Sequence, residues 1–534
     1  MRHQPKFVLA TIAMAGVVVV GYGAGSSIAA DSGASPLTVP KVASCARGGK
    51  PETALQGQVP AALRQSGFAG FNCNLELVGQ FQGEGGSWSS AAFTDGAGRT
   101  CMYHSTASTI KADGTSVVGR QNPGVPVIDI TDPTKPTRTM SLTTPAMLDP
   151  WESLRVNARR QILVADNGAN GAGGGPEIDV YDLSGDCRTP QLLASVAVGT
   201  GADGGGIVTP KTPKGHEGNI SPDGLTYYIG DRGNLHYLAV DLSNTTKPKL
   251  IASWDLKSLQ LNSTVHGISM SADGTRAYAT TAALPPPGAV ADPNALLNNG
   301  FVVLDTSEVQ ARKANAQIKH ISTTVYKDGG QAQHTIPIRI KGKLYVVMVD
   351  EGGSGGLANP TNVRAACDVG LTPFPMARIF DMSDEKAPRV VSKLMLETHD
   401  PKNCAQVLPD IVGLDIFTYG SHYCSVDNRE NATALACSYF NSGIRVFDIR
   451  NPGRPKEIAY YNPAAASAKP GSNHVTFGAG QWRAGGPDWC SSRLDFDFAK
   501  KQLVTMCQDN GVLVMRFARN TWPFAESTAS RDQN

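Results

Sequence analysis

Short apolar runs that end in aspartate recur along the chain, and each is followed by an apolar residue and then, in most copies, by serine or threonine. Six copies are centred on Asp129, Asp182, Asp241, Asp305, Asp381 and Asp448, and a seventh carries Arg516 in place of the acid. A proline follows seven or eight positions later in six of the seven copies. Apolar runs bounded by turn residues predict β-strands. Their recurrence at a spacing of about 50 to 75 residues predicts a repeat architecture.

Two further apolar runs joined by a polar turn precede most of these copies. The turns carry Gly224, Gly274, Gly342 and Arg160, and each predicts a β-hairpin. A fourth apolar run follows the proline, as in QLLASV, KLIASW and KEIAYY. Each unit therefore supplies four strands, and the whole pattern predicts an all-β fold. The expected architecture is a seven-bladed β-propeller with a short irregular N-terminal extension.

The repeated motif resembles the repeat of the LVIVD family of bacterial secreted propellers. The likeness rests on the apolar strand, the aspartate, the serine or threonine and the following proline, and it covers roughly residues 80–520. It implies a propeller fold and export from the cytoplasm. It implies no particular activity, because one fold supports many functions. The motif departs from the pattern after Asp305, where no proline follows, and at Arg516.

The N-terminus predicts export. Three basic residues precede an apolar stretch from about residue 7 to residue 24, and small residues follow at 27–29. This layout is typical of a secretory signal peptide. The predicted division is a signal peptide over 1–30, the extension over 31–79, the propeller over 80–523 and a disordered tail over 524–534. A secreted or periplasmic protein is expected, with an uncleaved membrane anchor as the alternative.

Composition agrees with this interpretation. The chain has 57 glycines, 34 prolines and 18% charged residues, as a turn-rich β-protein would. Its formal net charge is +2 without a basic stripe, so no nucleic-acid partner is expected. No second segment is apolar enough to span a membrane.

The ten cysteines fit an oxidising compartment. Plausible disulfides are Cys45 with Cys73, Cys367 with Cys404, Cys424 with Cys437 and Cys490 with Cys507, although spacing alone leaves the pairing open. The chain has no CxxC motif, which argues against a thiolate zinc site.

Four histidines occupy the same register at the start of the first strand in four successive units. They are His216, His266, His334 and His422, and a fifth unit places Glu152 there. In a closed ring these side chains would converge on the mouth of the central channel. Neutral imidazoles with a carboxylate are good ligands for iron or copper and, less suitably here, zinc. The sequence therefore predicts a transition-metal site, with Glu152 as a catalytic acid that orients a ligand or binds as a fifth one.

By arrangement alone, this set resembles the four-histidine iron centre of carotenoid-cleaving oxygenases and the histidine-lined channel of selenium-binding, methanethiol-oxidising propellers. The resemblance implies metal-dependent and oxidative, rather than hydrolytic, chemistry on a small molecule. Long insertions at 168–175, 283–300 and 351–375 are expected to cover the site as a lid.

A purely architectural role for the histidines is the alternative. Each would then pair with the aspartate of its own repeat and face away from the channel. The protein would be a non-catalytic exported scaffold that binds another extracytoplasmic protein, a glycan or a surface. The repeated aspartates themselves are expected to be structural, capping the turn that follows them. Neither interpretation predicts an oligomeric state.

Overall fold

Seven antiparallel sheets of four strands each form the blades of a β-propeller, as the repeats predict. The computed structural model describes residues 28–30, 40–106, 122–167, 177–198, 213–283, 299–411, 417–466 and 486–525. The expected signal peptide up to residue 27, the insertion at 168–175, residues 284–298 of the second insertion and the tail from residue 526 lie outside the described residues.

Three strands and one helix precede the first blade. They are β1 (Ile28–Ala30), helix α1 (Ala61–Ser66), β2 (Phe71–Cys73) and β3 (Leu75–Phe81).

The first four blades follow in chain order, each written from its innermost strand outwards. Blade 1 comprises β4 (Ser90–Thr94), β5 (Thr100–His104), β6 (Val125–Asp129) and β7 (Thr137–Leu142). Blade 2 comprises β8 (Arg155–Asn157), β9 (Ile162–Asp166), β10 (Ile178–Asp182) and β11 (Gln191–Val196). Blade 3 comprises β12 (Gly215–Ile220), β13 (Thr226–Asp231), β14 (His236–Asp241) and β15 (Lys249–Asp255). Blade 4 comprises β16 (Ile268–Met270), β17 (Arg276–Thr281), β18 (Asn299–Asp305) and β19 (Lys319–Tyr326).

The last three blades complete the ring. Blade 5 comprises β20 (Gly330–Ile340), β21 (Lys343–Gly352), β22 (Ala377–Asp381) and β23 (Arg389–Leu394). Blade 6 comprises β24 (Cys424–Val426), β25 (Ala434–Ser438), β26 (Ile444–Asp448) and β27 (Lys456–Asn462). Blade 7 comprises β28 (Asp495–Asp497), β29 (Gln502–Cys507), β30 (Gly511–Phe517) and, as its outer strand, β3.

Short helices lie in the connections. They are α2 (Pro145–Leu148), α3 (Ser307–Gln310), α4 (Pro360–Asp368) and α5 (Cys404–Ile411), with 3-10 helices at Leu256–Leu259, Glu397–His399 and Pro401–Asn403. No helix within the described ranges is long and apolar enough to cross a membrane.

The N-terminal segment closes the ring and reinforces two blades. Strand β3 pairs antiparallel with β30, so the outer strand of the last blade comes from the start of the chain. The expected boundary at residue 80 falls inside this strand. Strand β2 extends blade 6 through β27, and β1, within the expected signal peptide, lies parallel to β19 of blade 4.

The apolar core lies between blades rather than within them. In one buried cluster, Phe93 and Val127 of blade 1 pack with Leu163 and Tyr181 of blade 2. Because each sheet buries its faces against its neighbours, the blades stabilise one another as stacked repeats do.

The repeated aspartates cap turns, as predicted. In all six copies the carboxylate accepts a hydrogen bond from the backbone N–H two residues later, as in the 2.9 Å bond from Thr131 to Asp129. These carboxylates therefore form Asx-type turns at the blade rim. None of the six is a hydrogen-bond partner of the histidine of its own repeat among the described contacts.

Five disulfides join all ten cysteines. The four suggested pairs are confirmed, and the fifth joins Cys101 of blade 1 to Cys187 of blade 2 across a sequence separation of 86. Such a disulfide content is typical of proteins that fold outside the cytoplasm.

Candidate metal centre

Five consecutive blades each contribute one side chain to a buried cluster in the central channel. Blades 2 to 6 supply, in that order, Glu152, His216, His266, Glu351 and His422. Four of these side chains lie at or just before an innermost strand, and Glu351 lies near the end of β21. All five residues are at most 7% exposed, so the cluster is shielded from solvent.

One part of the cluster contains two histidines and a carboxylate. The Nε2 atoms of His216 and His266 are 3.0 Å apart, and each lies 3.6 Å from Oε2 of Glu152. Ligands held about 2.1 Å from one ion at angles between tetrahedral and octahedral values are about 3.0 to 3.4 Å from each other. The three atoms are therefore spaced much as the ligands of a single transition-metal ion would be.

The other part contains one histidine between two carboxylates. Nε2 of His422 lies 3.2 Å from Oε1 of Glu152 and 3.3 Å from Oε2 of Glu351. The other oxygen of Glu351 lies 3.4 Å from Nε2 of His266. Glu152 and Glu351 thus both contact histidines of the two parts.

His334, the fourth predicted histidine ligand, stands apart from this cluster. Its Nδ1 is hydrogen-bonded to the side-chain oxygen of Gln333, and its Nε2 accepts a 3.3 Å hydrogen bond from the backbone N–H of Cys424. Its ring stacks on Tyr423, with ring centroids 4.7 Å apart. Both ring nitrogens are occupied, and the side chain ties blade 5 to blade 6, although its partners are not the aspartate of its own repeat.

His216 lies in the cluster and His334 does not, because the β-bulge of blade 5 lies one residue before the histidine, whereas that of blade 3 lies at the histidine. In blade 3 the bulge falls at His216, which has no partner in β13. In blade 5 it falls at Gln333, and His334 stays in the regular ladder opposite Val349. Because side chains alternate along a strand, a shift by one residue changes which side chain faces the channel. Gln333 takes the central position and donates a 3.2 Å hydrogen bond to Oε2 of Glu152.

Glu351 is the ligand candidate that the sequence does not reveal. It begins the glycine-rich insertion expected to form part of a lid, but the structure extends β21 to Gly352 and so holds Glu351 inside the channel. The paired strands β20 and β21 have 11 and 10 residues, longer than any other described strand. The long apolar run that ends at Asp350 was the available signal. Part of the remaining insertion forms helix α4 rather than an irregular loop.

Neighbouring groups fix the orientation of the histidines. Nδ1 of His422 lies 2.6 Å from the carbonyl oxygen of Ser491, so that nitrogen donates and leaves Nε2 directed at the two carboxylates. Nδ1 of His266 lies 3.6 Å from Oε2 of Glu217. A carboxylate or carbonyl behind a histidine is the usual arrangement around protein-bound metals, because it fixes the tautomer and the ring orientation.

Glu217 belongs to a fully buried charge network beside the cluster. Its Oε1 accepts hydrogen bonds of 3.0 Å from Arg155 and 2.7 Å from Arg493. Two arginines on one carboxylate leave a net positive charge next to the cluster. Glu217 therefore connects both arginines to the cluster through His266.

The two glutamates and two of the histidines of the cluster form charged pairs. Burial disfavours a charged imidazole, but the carboxylates of Glu152 and Glu351 outweigh it and raise the pKa of His266 to about 10 and of His422 to about 9. Burial by itself raises the pKa of the Glu351 carboxyl, yet the two histidines hold that pKa well below its usual value. The cluster without a bound metal is therefore held by imidazolium–carboxylate pairs, and a metal ion would displace their protons.

His216 is different, because burial and two positive neighbours, His266 and Arg232, lower its pKa well below the usual value. Nη1 of Arg232 lies 3.2 Å from its Nε2. The imidazole is therefore neutral, the form that binds metals. The guanidinium competes with a metal for this nitrogen, and it places a positive charge at the edge of the cluster.

A layer of aromatic residues packs against two histidines of the cluster. It consists of Trp88, Trp151, Phe417, Phe440 and Trp489, all buried. Trp88 lies 5.1 Å from the ring of His422, and Trp151 lies 5.8 Å from that of His216, centroid to centroid. Such a layer excludes water and lowers the local dielectric constant, which strengthens the electrostatic interactions beneath it.

One further group of potential ligands, formed by Asp95, Asp186 and Cys187, is a structural contact. Cys187 is oxidised in its disulfide with Cys101, and Arg99 pairs with both carboxylates at 2.7 Å and 3.0 Å. This group has no thiolate to offer a metal.

Comparisons with known proteins assign the chain to no family. No family model matches the chain, and no curated protein matches it. Among solved structures, a proposed 6-phosphogluconolactonase from Bacteroides uniformis aligns with a TM-score of 0.45 and 12% identity, covering 76% of this chain and 90% of its own. A second, from Bacteroides fragilis, gives 0.43 and 10%, covering 78% and 93%. A protein from Lactobacillus plantarum gives 0.43 and 12%, covering 72% and 85%.

Proposed function

We propose that this chain is an exported β-propeller that binds a transition metal in its central channel and uses it on a small molecule. The observation that carries the proposal is the convergence of one ionisable side chain from each of five consecutive blades. Strand pairing does not require this, and burying five such groups is costly unless they bind one another or a metal. Their spacing of 3.0–3.6 Å suits coordination.

The donor set favours oxidative chemistry with iron. Glu152, His216 and His266 provide two imidazoles and one carboxylate, the ligand set that non-haem iron oxygenases use with open positions for oxygen and substrate. Such an iron ion would supply the redox chemistry. Copper fits the imidazoles next best, and zinc would supply no electrons. The residues around the ion would hold the imidazole tautomers and keep water out through the aromatic layer.

Export is the second part of the proposal. It rests on the basic and apolar pattern at the N-terminus and on the five disulfides. The repeated motif with its capping aspartate supports membership of the LVIVD-type propellers, and a secreted or periplasmic location follows from both lines of reasoning.

Metal analysis tests the proposal directly. The chain from Asp31 onward would be purified and its iron, copper and zinc measured by plasma mass spectrometry, beside the double variant His266→Ala/His422→Ala. We expect near-stoichiometric metal in the native chain and its loss from the variant. His334→Gln is the matched control, because His334 lies outside the cluster, and it should retain the metal. A folded native chain that takes up no metal even after reconstitution would contradict the proposal and favour a non-catalytic binding protein.

A further inference from the structure

The two glutamates of the cluster connect its two parts through different oxygens. Oε2 of Glu152 lies 3.6 Å from Nε2 of both His216 and His266, whereas its Oε1 lies 3.2 Å from Nε2 of His422. Glu351 repeats the pattern, with Oε1 3.4 Å from His266 and Oε2 3.3 Å from His422. Each of the two carboxylates therefore lies between the same two groups of imidazoles, with one oxygen facing each group.

A single ion does not account for this arrangement. An ion beside His216 and His266 would use Oε2 of Glu152 and Oε1 of Glu351, which leaves one oxygen of each glutamate directed at His422. The Nε2 atom of His422 is fully buried and faces these two carboxylate oxygens at 3.2 and 3.3 Å, while its Nδ1 is engaged by Ser491. The remaining nitrogen and two oxygens form a second set of three donors, all within 4.8 Å of one another.

We propose that the channel holds two metal ions, bridged by Glu152 and Glu351. His216 and His266 bind the first ion, and His422 binds the second. The inference rests on the proposed metal-binding function and extends it from one ion to a pair. In two-metal sites the ions are about 3.5 to 4 Å apart and are commonly joined by such shared ligands.

Charge indicates what else the pair would bind. With neutral imidazoles, the three carboxylates Glu152, Glu217 and Glu351 offset the charge of the three nearby arginines, Arg155, Arg232 and Arg493, and the buried Asp166 also interacts with Arg155. Two divalent ions would then leave an excess of positive charge in a buried channel, which is costly without an anion. A hydroxide ion or a small molecule with a carboxylate or phosphate group would supply that charge.

The experiment measures how many ions bind to each variant. The native chain would be stripped of metal and loaded with Mn²⁺, and the bound metal would be counted after gel filtration. We expect about two ions per chain for the native protein and for the control His334→Gln, and about one for His422→Gln and for His216→Gln/His266→Gln. A native ratio near one overturns the pair while leaving the single-metal function intact. A native ratio of zero for Mn²⁺ and also for Fe²⁺, loaded in the same way without oxygen, overturns both.

Electron paramagnetic resonance keeps the inference testable if a histidine variant fails to fold. Two Mn²⁺ ions bridged by carboxylates are exchange-coupled, so the fully loaded native protein should give a coupled spectrum. In Glu351→Gln one bridging carboxylate is lost while all three histidines remain, and the coupling should weaken. A native spectrum of isolated ions at full loading would overturn the bridged arrangement.

Discussion

At the scale of single residues, the cluster depends on neighbouring residues that are not themselves candidate metal ligands. The carbonyl of Ser491 decides which nitrogen of His422 faces the glutamates, and Glu217 stands behind His266 in the same way. Arg232 has the opposite effect, since its guanidinium lies against Nε2 of His216, the nitrogen that would bind the metal. The orientation and charge of each histidine therefore depend on the residues behind it as well as on the other members of the cluster.

Replacing Arg232 should strengthen metal binding. In Arg232→Gln the positive charge beside His216 is lost, and two unit charges about 4 Å apart repel by about 4 kcal/mol at an effective dielectric constant near 20. We expect the dissociation constant of the bound metal to fall roughly tenfold or more, measured by competition with a coloured chelator. Arg159→Gln removes an exposed arginine and controls for net charge. Weaker binding in Arg232→Gln would mean that the arginine supports the site.

His399 should make the fold sensitive to acid. Burial is the main cause that lowers its pKa from 6.5 to about 3, and the charge of Arg445 adds to it. Below pH 6.5 the unfolded chain binds a proton that the folded chain rejects, so stability is present above pH 6.5 and is lost as pH falls towards 3. The loss amounts to about 1.4 kcal/mol per pH unit.

The comparison is with His399→Gln, which keeps a hydrogen-bonding side chain near the carbonyl of Tyr419 but does not titrate. Urea unfolding at several pH values should show the native chain losing stability relative to the variant between pH 6 and pH 4. Above pH 7 the difference should be constant. A constant difference across the whole range would show that His399 does not reject the proton.

Part of the cluster could be predicted from the sequence alone. His216, His266 and His422 could be predicted together with Glu152 because they share a register relative to the hairpin turns. His334 shares that register too, but the bulge at Gln333 turns it away. The position of a bulge depends on packing around the strand, which no local pattern records.

At the scale of elements, the uneven strands of blade 5 shape the site. Strands β20 and β21 extend beyond the other hairpins, and the extension carries Glu351 into the channel. The hairpins and the motif strands were predictable from turn residues and alternation. The extension was not predictable, because its glycine-rich sequence is typical of a loop.

The disulfide between blades 1 and 2 should stabilise the fold more than a disulfide within one hairpin. Cys101 and Cys187 are 86 residues apart, whereas Cys490 and Cys507 are 17 apart. Loop-closure entropy of the unfolded chain predicts that changing the first pair to serine costs about 1.4 kcal/mol more than changing the second. Urea unfolding of the two double variants measures the difference, and equal costs would show that native contacts dominate over chain entropy.

At the scale of the whole molecule, the closure of the ring depends on strands from both ends of the propeller sequence. The seven blades could be predicted from the repeats and are confirmed, but which segment closes the ring could not, since the closing strand lacks the motif. β3 pairs with β30 over Leu75–Phe81 and buries Leu75 in the core between blades 6 and 7. Closure joins Leu75 to Phe517, which lie far apart in the chain.

Removal of the closing strand should therefore weaken the whole propeller. A chain beginning at Gln82 lacks β3, and we expect it to lose at least about 3 kcal/mol of stability, from the burial of Leu75 and the ladder hydrogen bonds. Thermal unfolding followed by tryptophan fluorescence measures the loss, with a chain beginning at Asn74 as control, because that chain keeps β3 but lacks the same residues before it. A peptide of residues 70–82 added in excess should restore part of the stability. An unchanged melting temperature would mean that blade 7 is stable with three strands.

Because each of five blades provides one member of the cluster, no single blade contains the site. Glu152 is synthesised long before His422, and the two meet only when the blades between them have stacked. On the proposed export route this happens after translocation, together with disulfide formation. The metal would then be selected from what that compartment contains, and the cytoplasmic supply would have no part in the choice.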